Sequence, residues 1–510
     1  MMSENMAAYN KNARISLYIN EHNFEYDMQT LLMAFFPNIP VDIYAGCGSA
    51  YERAGIKDSK TEEANIILRA DVKFLYDGED DNVFVTLIKD ESVLKDSAKV
   101  DFSDRKDSKN KIKLLMYGLL TKLTDKTLPW GTLTGIRPVK IAENLIDTMD
   151  DDALRNYLKE TYRPDDKKIE LSLLIAHREK KIIDSINKKN GYSVYIGIPF
   201  CPTTCLYCSF TSYPISAYKK IVPAYLDALK KEIDYVAFDF FGREMNSIYI
   251  GGGTPTTLEP DELEILLSYI RQKLDFTYCK EFTVEAGRPD SITKEKLMVL
   301  KKYGVTRISV NPQTMQQKTL DLIGRRHTVS QVKEAFYMAR ELGFDNINMD
   351  FIVGLPNETY EDVKDSMEQV LLMKPESVTI HSLAIKRTSR LNINKKEYED
   401  VMLKNNEAIM DMTGDYVSKL DLKPYYLYRQ KNMAGNMENV GYALPGKEGI
   451  YNMLIMEEVQ DIVALGAGSA CKRVFEGGRI ERCENVKEVA QYIDRIDEMI
   501  DRKKVLYGED

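Results

Sequence analysis

The chain has 510 residues, 44% of them hydrophobic, which is too long for one ordinary domain and sufficient for a large core. Its formal net charge is −9 and it carries no long basic run, which argues against nucleic acid as the main partner. It has neither an apolar stretch of roughly 18 residues nor an apolar signal core, so we expect no membrane span.

Residues 1–125 are predicted to form an N-terminal α+β domain. Ile15, Leu17 and Ile19 alternate with polar or aromatic residues as in a half-buried strand. Apolar runs at 65–69 and 83–88 predict further strands, and a helix with one apolar face is predicted at 111–120. Two roles remain open for this domain: docking or recruiting a substrate, or acting as a structural appendage.

Residues 126–190 are predicted to be a linker followed by a helical bridge. Glycines and prolines make 128–139 a loop. This loop contains the single tryptophan, Trp130, together with Arg137, which could contact an anion. Either a ligand-binding loop or a packed linker between domains would explain this composition.

Residues 191–390 alternate short apolar strands with amphipathic helices. The predicted strands cover residues 194–198, 247–250, 281–285, 307–310, 347–353 and 377–381. One helix has a capping-box pattern from Thr328 to Gln331 and is expected to end at Gly343. Six such units imply a parallel sheet with right-handed crossovers. They are too few for an eight-stranded barrel, so an open partial barrel is expected.

The predicted fold class is therefore α/β: a partial (β/α)6 barrel, an N-terminal α+β domain and a mainly helical C-terminal region. That region, 391–510, begins helical, passes through an aromatic run at 424–428 and ends in charged helices.

Three cysteines follow the first barrel strand at C-x3-C-x2-C spacing: Cys201, Cys205 and Cys208. Three thiolates on one tight loop can hold three irons of a [4Fe–4S] cluster and leave the fourth iron open to a small molecule. A zinc site or three buried cysteines are the alternatives, although zinc sites favour other spacings. The remaining cysteines are scattered, which argues against a disulfide framework and predicts a cytoplasmic protein. An exposed cluster would also suit an anaerobic setting.

Distinctive residues also follow the later strands, and functional groups of parallel α/β barrels lie at such strand ends. A glycine run, 251–253, lets the backbone approach a ligand closely. Glu285 and Asp350 could accept hydrogen bonds from amino or ribose groups. Arg325 could bind both oxygens of a carboxylate. Each acid alone could equally be a solvated or capping residue.

These motifs resemble those of the radical S-adenosylmethionine (SAM) superfamily, which also has an aromatic residue before the last cysteine, here Tyr207. The sequences around 307–313, 324–327 and 348–356 resemble the oxygen-independent coproporphyrinogen III oxidase family. The N-terminal extension and the loop at 130–138 resemble its coproporphyrinogen dehydrogenase branch.

The resemblance implies cofactors and site residues. The cysteine triad would bind a [4Fe–4S] cluster, and SAM would bind at the open iron. The SAM site would be lined by Tyr195, Tyr207, Gly252, Gly253, Thr254, Glu285, Gln313, Arg325 and Asp350. Such enzymes convert two propionates of coproporphyrinogen III to vinyl groups, giving protoporphyrinogen IX, and need a low-potential electron donor.

Four substrate propionates would need cationic or hydroxyl partners. Candidates after strands or near the aromatic run are Arg288, Lys386, Arg387, Arg390 and Arg429, although each could be an ordinary surface base.

One residue departs from the oxidase pattern. Well-matched oxidases have a fourth cysteine two residues after the third, whereas this chain has Phe210. The related haem-chaperone branch also has phenylalanine there, but usually lacks so long an N-terminal extension. A haem carrier, or a protein that opens or methylates haem with SAM, is therefore an alternative. Of the four histidines, His381 is the best placed for a haem ligand, and it could instead be a hydrogen-bonding core residue.

Overall fold

The strand and helix patterns fold into two units in the computed structural model, Met1–Leu173 and Leu174–Asp510. No helix in the described part of the chain is long and apolar enough to cross a membrane. The finer division at residues 125, 190 and 390 stays a prediction. The structure describes residues 13–508 except 38, 47–65, 77–80, 136, 387, 395–397, 399–400, 431–432, 434 and 436.

A five-stranded sheet forms the centre of the first unit, in the order β2-β1-β3-β4-β5. β1 is parallel to β2 and β3, whereas β3, β4 and β5 pair antiparallel. The strands are β1 (Arg14–Ile19), β2 (Val41–Ala45), β3 (Ile66–Leu75), β4 (Asn82–Lys89) and β5 (Ser92–Lys99).

The first two helices of this unit supply apolar residues to the same core as the sheet. The helices of the unit are α1 (Glu25–Phe35), α2 (Arg105–Thr124), α3 (Lys140–Glu143) and α4 (Asp151–Tyr162). β1 is buried on both faces, not one, because the Tyr18 ring stacks on Tyr44 and lies under the Arg69 guanidinium. β2, β5 and α1 were not predicted.

The glycine-rich loop at 128–135 is packed, not open. Trp130 is only 1% exposed. Gly131 has a φ of +52°, and a Cβ there would lie 2.1 Å from the Tyr162 carbonyl oxygen. The Thr132 amide donates to that same carbonyl at 2.7 Å. These contacts fit the packed-linker interpretation of this loop.

An 11-stranded sheet forms the second unit, in the order β14-β15-β13-β12-β11-β10-β9-β6-β16-β17-β18. The six central strands from β13 to β6 are parallel, which confirms the predicted partial barrel. The strands of this sheet are β6 (Gly191–Ile198), β9 (Glu244–Gly252), β10 (Glu281–Gly287), β11 (Arg307–Val310), β12 (Ile347–Val353), β13 (Ser377–Ser382), β14 (Lys423–Tyr428), β15 (Asn439–Ala443), β16 (Asp461–Leu465), β17 (Ala470–Val474) and β18 (Ile480–Glu484). Two further strands, β7 (Phe200–Cys201) and β8 (Tyr213–Pro214), pair with each other in a separate two-stranded sheet.

Helices follow most of the parallel strands. The predicted capping box is present, with the Thr328 hydroxyl accepting from the Gln331 amide. The helices are α5 (Asp166–Ile183), α6 (Ile215–Tyr218), α7 (Val222–Asp239), α8 (Pro260–Lys273), α9 (Lys294–Lys302), α10 (Gln317–Leu322), α11 (Val329–Glu341), α12 (Tyr360–Met373), α13 (Arg390–Ile393), α14 (Glu407–Ser418), α15 (Ile450–Glu457), α16 (Val489–Asp494) and α17 (Ile496–Tyr507).

The two faces of the parallel sheet differ in polarity. Alternate residues such as Val194, Ile196 and Ile198 join the apolar core together with the helices. The other positions carry small polar residues that bond across strands. Ser193 and Ser247 lie 2.7 Å apart, and Asn348 donates to Ser309 at 3.1 Å. The concave interior of the barrel is therefore buried yet polar, which suits a polar ligand.

The C-terminal region contributes more strands than the sequence pattern indicated. It was predicted to be mainly helical, and its helices are present, but it also supplies β14 to β18. The aromatic run is strand β14, and β16 lies parallel to β6, so that Ala464 pairs with Tyr195. Five-residue strands such as β16 are too short to show a clear period in the sequence.

A buried ion pair ties α17 to α7. The Lys503 ammonium lies 2.6 Å from the Glu232 carboxylate, and both side chains are at most 1% exposed. The same carboxylate accepts from the Gly466 amide and from the Tyr492 hydroxyl. Several elements therefore depend on one acidic side chain.

We expect Glu232→Ala to lower the free energy of unfolding by about 3–5 kcal/mol, because it leaves the Lys503 charge buried and unpaired. The measurement is urea denaturation followed by circular dichroism. The neighbouring Lys231 makes an exposed ion pair with Asp497, so Lys231→Ala should cost less than about 1 kcal/mol. Equal losses in the two variants would contradict this assignment.

Candidate functional site

The cysteine loop begins where β6 ends and is closed by a short parallel pairing of Phe200 with Tyr213. The Tyr213 amide donates to the Pro199 carbonyl at 2.8 Å, and the Cys208 amide donates to the Cys205 carbonyl at 3.2 Å. The chain therefore makes a compact loop between β7 and β8, and all three cysteines of the motif lie on it.

The three thiols are free, with Cys205 buried and Cys201 and Cys208 half-buried. Burial raises the pKa of Cys201 to about 11, although the Thr254 hydroxyl, 3.5 Å from its sulfur, opposes this. Burial also raises the pKa of Cys208. Thiolates at these positions therefore need a cation to stabilise them, and three such donors on one loop fit three irons of a [4Fe–4S] cluster.

Arg288 and Thr203 hold this loop from inside. The Arg288 guanidinium is buried, makes two bonds to Asp290, and donates to the Thr203 hydroxyl at 2.6 Å and carbonyl at 3.1 Å. The Thr203 hydroxyl in turn donates to the Gly324 carbonyl at 2.9 Å. The loop between the first two cysteines is thus tied to the ends of β10 and α10.

Arg325 lies against the cysteine loop on another side. Its guanidinium donates to the Asn311 carbonyl at 2.5 Å and bonds the Cys205 thiol and the Tyr207 hydroxyl. These neighbours outweigh burial and raise the pKa of Arg325, and burial raises that of Tyr207. The Nε atom of Arg325 is buried without a partner, so the side chain retains a donor for a ligand.

The glycine run brings the end of β9 against the cysteine strand. A Cβ at Gly253 would lie 2.5 Å from the Phe200 carbonyl oxygen, and Gly252 has a φ of +104°. The amides of Gly253 and Thr254 donate to the carbonyls of Ile198 and Phe200 at 2.8 and 2.7 Å. Only glycine permits this approach at Gly253.

An aromatic and acidic group lies at the rim next to these glycines. The Tyr249 hydroxyl donates to the Glu285 carboxylate at 2.5 Å. The Tyr249 ring stacks on Tyr451 at 4.7 Å and on Tyr195 at 6.2 Å. Burial, supported by the nearby Asp350 charge, raises the pKa of Glu285 to about 7. Burial likewise raises the pKa of Tyr195.

Gln313 and Asp350 form the other half of the rim. Gln313 has a φ of +70°, held because its amide donates to the Asp350 carbonyl and its carbonyl accepts from Ile352. Its Oε1 atom is buried without a partner. The Asp350 carboxylate accepts from Asn348 at 2.7 Å and lies 4.0 Å from Nε2 of His381. The Gln313 Oε1 atom and the Asp350 carboxylate therefore face the interior of the barrel.

His381 lies inside this rim. Burial lowers its pKa, and its Nδ1 lies 3.4 Å from the Tyr428 hydroxyl. The Asp350 carboxylate lies near its other nitrogen. These contacts favour the prediction that His381 is a hydrogen-bonding core residue over the prediction that it is a haem ligand.

The predicted substrate bases that the structure describes differ in their surroundings. Arg288 is committed to Asp290 and Thr203, whereas Arg390 is exposed and lines an open cleft of about 710 Å³ beside the cysteine loop, together with Arg326. Burial lowers the pKa of Arg429 to about 10 and lowers that of Lys386. Arg387 lies outside the described residues.

Sequence reasoning missed two aromatic residues of the site. Tyr249 is two residues before Gly251 on β9, so strand alternation could have placed it on the inner face. Tyr451 lies on α15 in the C-terminal region, and no local pattern indicates its position.

The chain is similar to several known proteins. The family model described as the radical SAM superfamily matches residues 195–370. The oxygen-independent coproporphyrinogen-III oxidase-like protein HemZ of Bacillus subtilis (strain 168) is 40% identical over 404 residues, 78% of this chain and 81% of that protein. Heme chaperone HemW of the same organism is 33% identical over 308 residues, 60% of this chain and 76% of that protein. The solved structure of coproporphyrinogen III oxidase (HemN) from Escherichia coli has a TM-score of 0.49 at 22% identity, over 63% of this chain and 72% of that chain.

We expect Arg288→Lys to weaken iron binding by the cysteine loop about tenfold. This is the lower end of the loss of metal affinity that follows mutation of residues that orient metal ligands. Lysine keeps a positive charge beside Asp290, but it lacks the branched guanidinium group that bonds Asp290 and Thr203 at the same time. The measurement is iron retained by the reconstituted protein in an anaerobic chelator titration.

Arg390→Lys is the matched control, because Arg390 is exposed beside the same loop. Iron retention should not change in that variant. Unchanged retention in Arg288→Lys would show that the buried arginine does not position the loop.

Proposed function

The chain belongs to the radical SAM superfamily and to its oxygen-independent coproporphyrinogen III oxidase family, and on this basis we propose that it decarboxylates coproporphyrinogen III to protoporphyrinogen IX. The observation that carries this proposal is the extent of the match to the oxidase-like relative. That match is longer than the whole second unit, so it includes part of the first unit. The match to the haem chaperone is shorter than the second unit.

The residues of the site fit both cofactors. Cys201, Cys205 and Cys208 would bind three irons of the cluster. The remaining predicted residues of the SAM site are Tyr195, Tyr207, Gly252, Gly253, Thr254, Glu285, Gln313, Arg325 and Asp350. When bound, the reduced cluster and SAM together supply the radical chemistry that removes a hydrogen atom from the substrate.

The side chains of the rim have distinct tasks in this proposal. Glu285, as a carboxylate, accepts hydrogen bonds from the ammonium group of SAM, and Tyr249 orients that carboxylate. Asp350, oriented by Asn348, accepts from ribose hydroxyls. The unpartnered Nε of Arg325 and Oε1 of Gln313 gain partners when the ligand binds.

The substrate change itself is an oxidation. Each propionate loses one hydrogen atom, CO2 and one further electron and becomes a vinyl group, so the reaction also needs an electron acceptor. A low-potential electron donor must reduce the cluster. The exposed Arg390 and Arg326 beside the cysteine loop are the cations best placed to meet substrate carboxylates.

A second candidate function is favoured by Phe210. This residue is 76% exposed and lies two residues after the last cysteine. It occupies the position of the fourth cysteine in well-matched oxidases and agrees with the haem-chaperone branch. The second candidate is therefore haem carriage, or another SAM-dependent modification of a tetrapyrrole on the same scaffold.

The deciding experiment is anaerobic incubation of the reconstituted protein with SAM, a low-potential reductant and coproporphyrinogen III. We expect 5′-deoxyadenosine together with mono- and divinyl products, detected by chromatography and mass spectrometry. Formation of 5′-deoxyadenosine without any vinyl product would reject the decarboxylase. Stoichiometric capture of added haem by the same preparation would then favour the carrier.

Cysteine variants distinguish cluster chemistry from general damage. Cys205→Ala should abolish the cluster absorbance and all 5′-deoxyadenosine formation. Cys279→Ala is the control, because Cys279 is outside the motif and its thiol donates to the Glu281 carbonyl.

SAM affinity should depend on pH through Glu285. Because its pKa is raised to about 7, the carboxylate that binds an ammonium is lost as pH falls below 7. We expect affinity to fall by up to about tenfold per pH unit between about pH 7.5 and 5.5, measured by anaerobic titration of the cluster-loaded protein. Glu285→Gln should bind more weakly and lose this dependence.

Glu358→Gln is the matched control for this titration. Burial raises the pKa of Glu358 to about 7 as well, but its carboxylate accepts from the Thr314 hydroxyl outside the rim. That variant should keep the pH dependence. The same slope in all three proteins would mean that Glu285 does not contact SAM.

A further inference from the structure

A second pair of cysteines lies outside the cluster motif, on the antiparallel strands β17 and β18. Cys471 and Cys483 are directly opposite each other in the register of these strands. Both thiols are free. Neither residue is required by the proposed function, which leaves this arrangement without an assigned role.

The register places the two residues at a Cα separation that a disulfide can span. Residues directly opposite in an antiparallel pair have Cα atoms about 4.5–5.5 Å apart and side chains on the same face. A disulfide spans Cα separations of about 4.4–6.8 Å. The two thiols already share a hydrogen bond. A disulfide can therefore form here without moving either strand out of the sheet.

We propose that Cys471 and Cys483 are a redox-active dithiol that low-molecular-weight disulfides oxidise to a cross-strand disulfide. The charged and polar neighbours of the pair support reactivity. Lys503 and Glu232 approach from α17 and α7, and the Tyr507 hydroxyl bonds Cys471. Arg502 also lies near Cys483.

The proton shared by the pair gives it thiolate character near neutral pH. Burial opposes ionisation of Cys471, but the Cys483 thiol and the Lys503 ammonium lower its pKa to about 7, and the same hydrogen bond raises the pKa of Cys483. The Cys471 sulfur also accepts from the Ala464 amide at 3.2 Å. By contrast, burial raises the pKa of the lone Cys279 to about 12. Cys471 is thus more readily ionised than Cys279, although it is the more deeply buried of the two.

The reaction balances with one molecule of disulfide. Cys483 is partly exposed and Cys471 is buried, so Cys483 is the sulfur that an incoming disulfide reaches. Proton transfer to Cys471 leaves a thiolate on Cys483, which attacks and releases one small thiol. Cys471 then attacks the mixed disulfide, loses its proton and releases the second thiol. Two protein thiols are oxidised, and one disulfide is reduced to two thiols.

The test uses the reconstituted protein under argon with 2-hydroxyethyl disulfide, followed by acid quench, alkylation and peptide mass mapping. We expect one cross-linked peptide pair containing Cys471 and Cys483, lighter by two hydrogen atoms, while the bound iron is retained. It should form more than about tenfold faster than any modification of Cys279. Recovery of both cysteines as alkylated thiols would overturn the proposal.

Single variants separate the two steps. In Cys471→Ser, Cys483 should react more slowly, because the thiolate that accepts its proton is lost, and it should stop at the mixed disulfide with 2-mercaptoethanol, because no second thiol resolves it. In Cys483→Ser, Cys471 should stay reduced, because it is buried. A persistent mixed disulfide in the unaltered protein, or an unreactive Cys483 in Cys471→Ser, would contradict the mechanism. The unaltered protein provides the primary result, so the test does not depend on the folding of either variant.

Discussion

The parallel pairing of β6 with β9 is the constraint on which the site depends. Its register places Ile198 opposite Gly252, so the start of the cysteine loop meets the glycine run at backbone distance. A side chain at Gly253 would collide with the Phe200 carbonyl. The loop, the glycines and the residues after β10 to β12 therefore meet at one rim because the strands run in one direction.

A polar interior in a buried barrel has an energetic cost, and the structure reduces that cost by bonding most of its groups to each other. Ser193 bonds Ser247, and Asn348 bonds both Ser309 and Asp350. The exceptions include two residues of the rim, Gln313 and Arg325, which keep unpartnered polar atoms, and Glu285 beside them has a raised pKa. Groups whose interactions are incomplete in the unliganded protein are those that a ligand would complete.

The predicted roles of the arginines, which were inferred from residue type alone, were less secure than the predicted positions of the site residues, which were inferred from the ends of the strands. Arg288 was a candidate for a substrate carboxylate, yet its guanidinium is committed to Asp290 and Thr203 and holds the cysteine loop. Arg390, from the same set, lies on an exposed cleft. An arginine after a strand can serve either purpose, and only the location of nearby acids and carbonyls decides between them.

The sequence by itself determined the six parallel strands, the cysteine motif and the residues that follow each strand, because burial on a parallel sheet produces strong local patterns. It did not determine what the C-terminal region contributes. β16 beside β6 and Tyr451 against Tyr249 join segments far apart in the chain, and Cys471 lies opposite Cys483 only because β17 and β18 pair in one particular register. These contacts depend on strand register and helix packing, which short five-residue strands and single side chains do not encode locally.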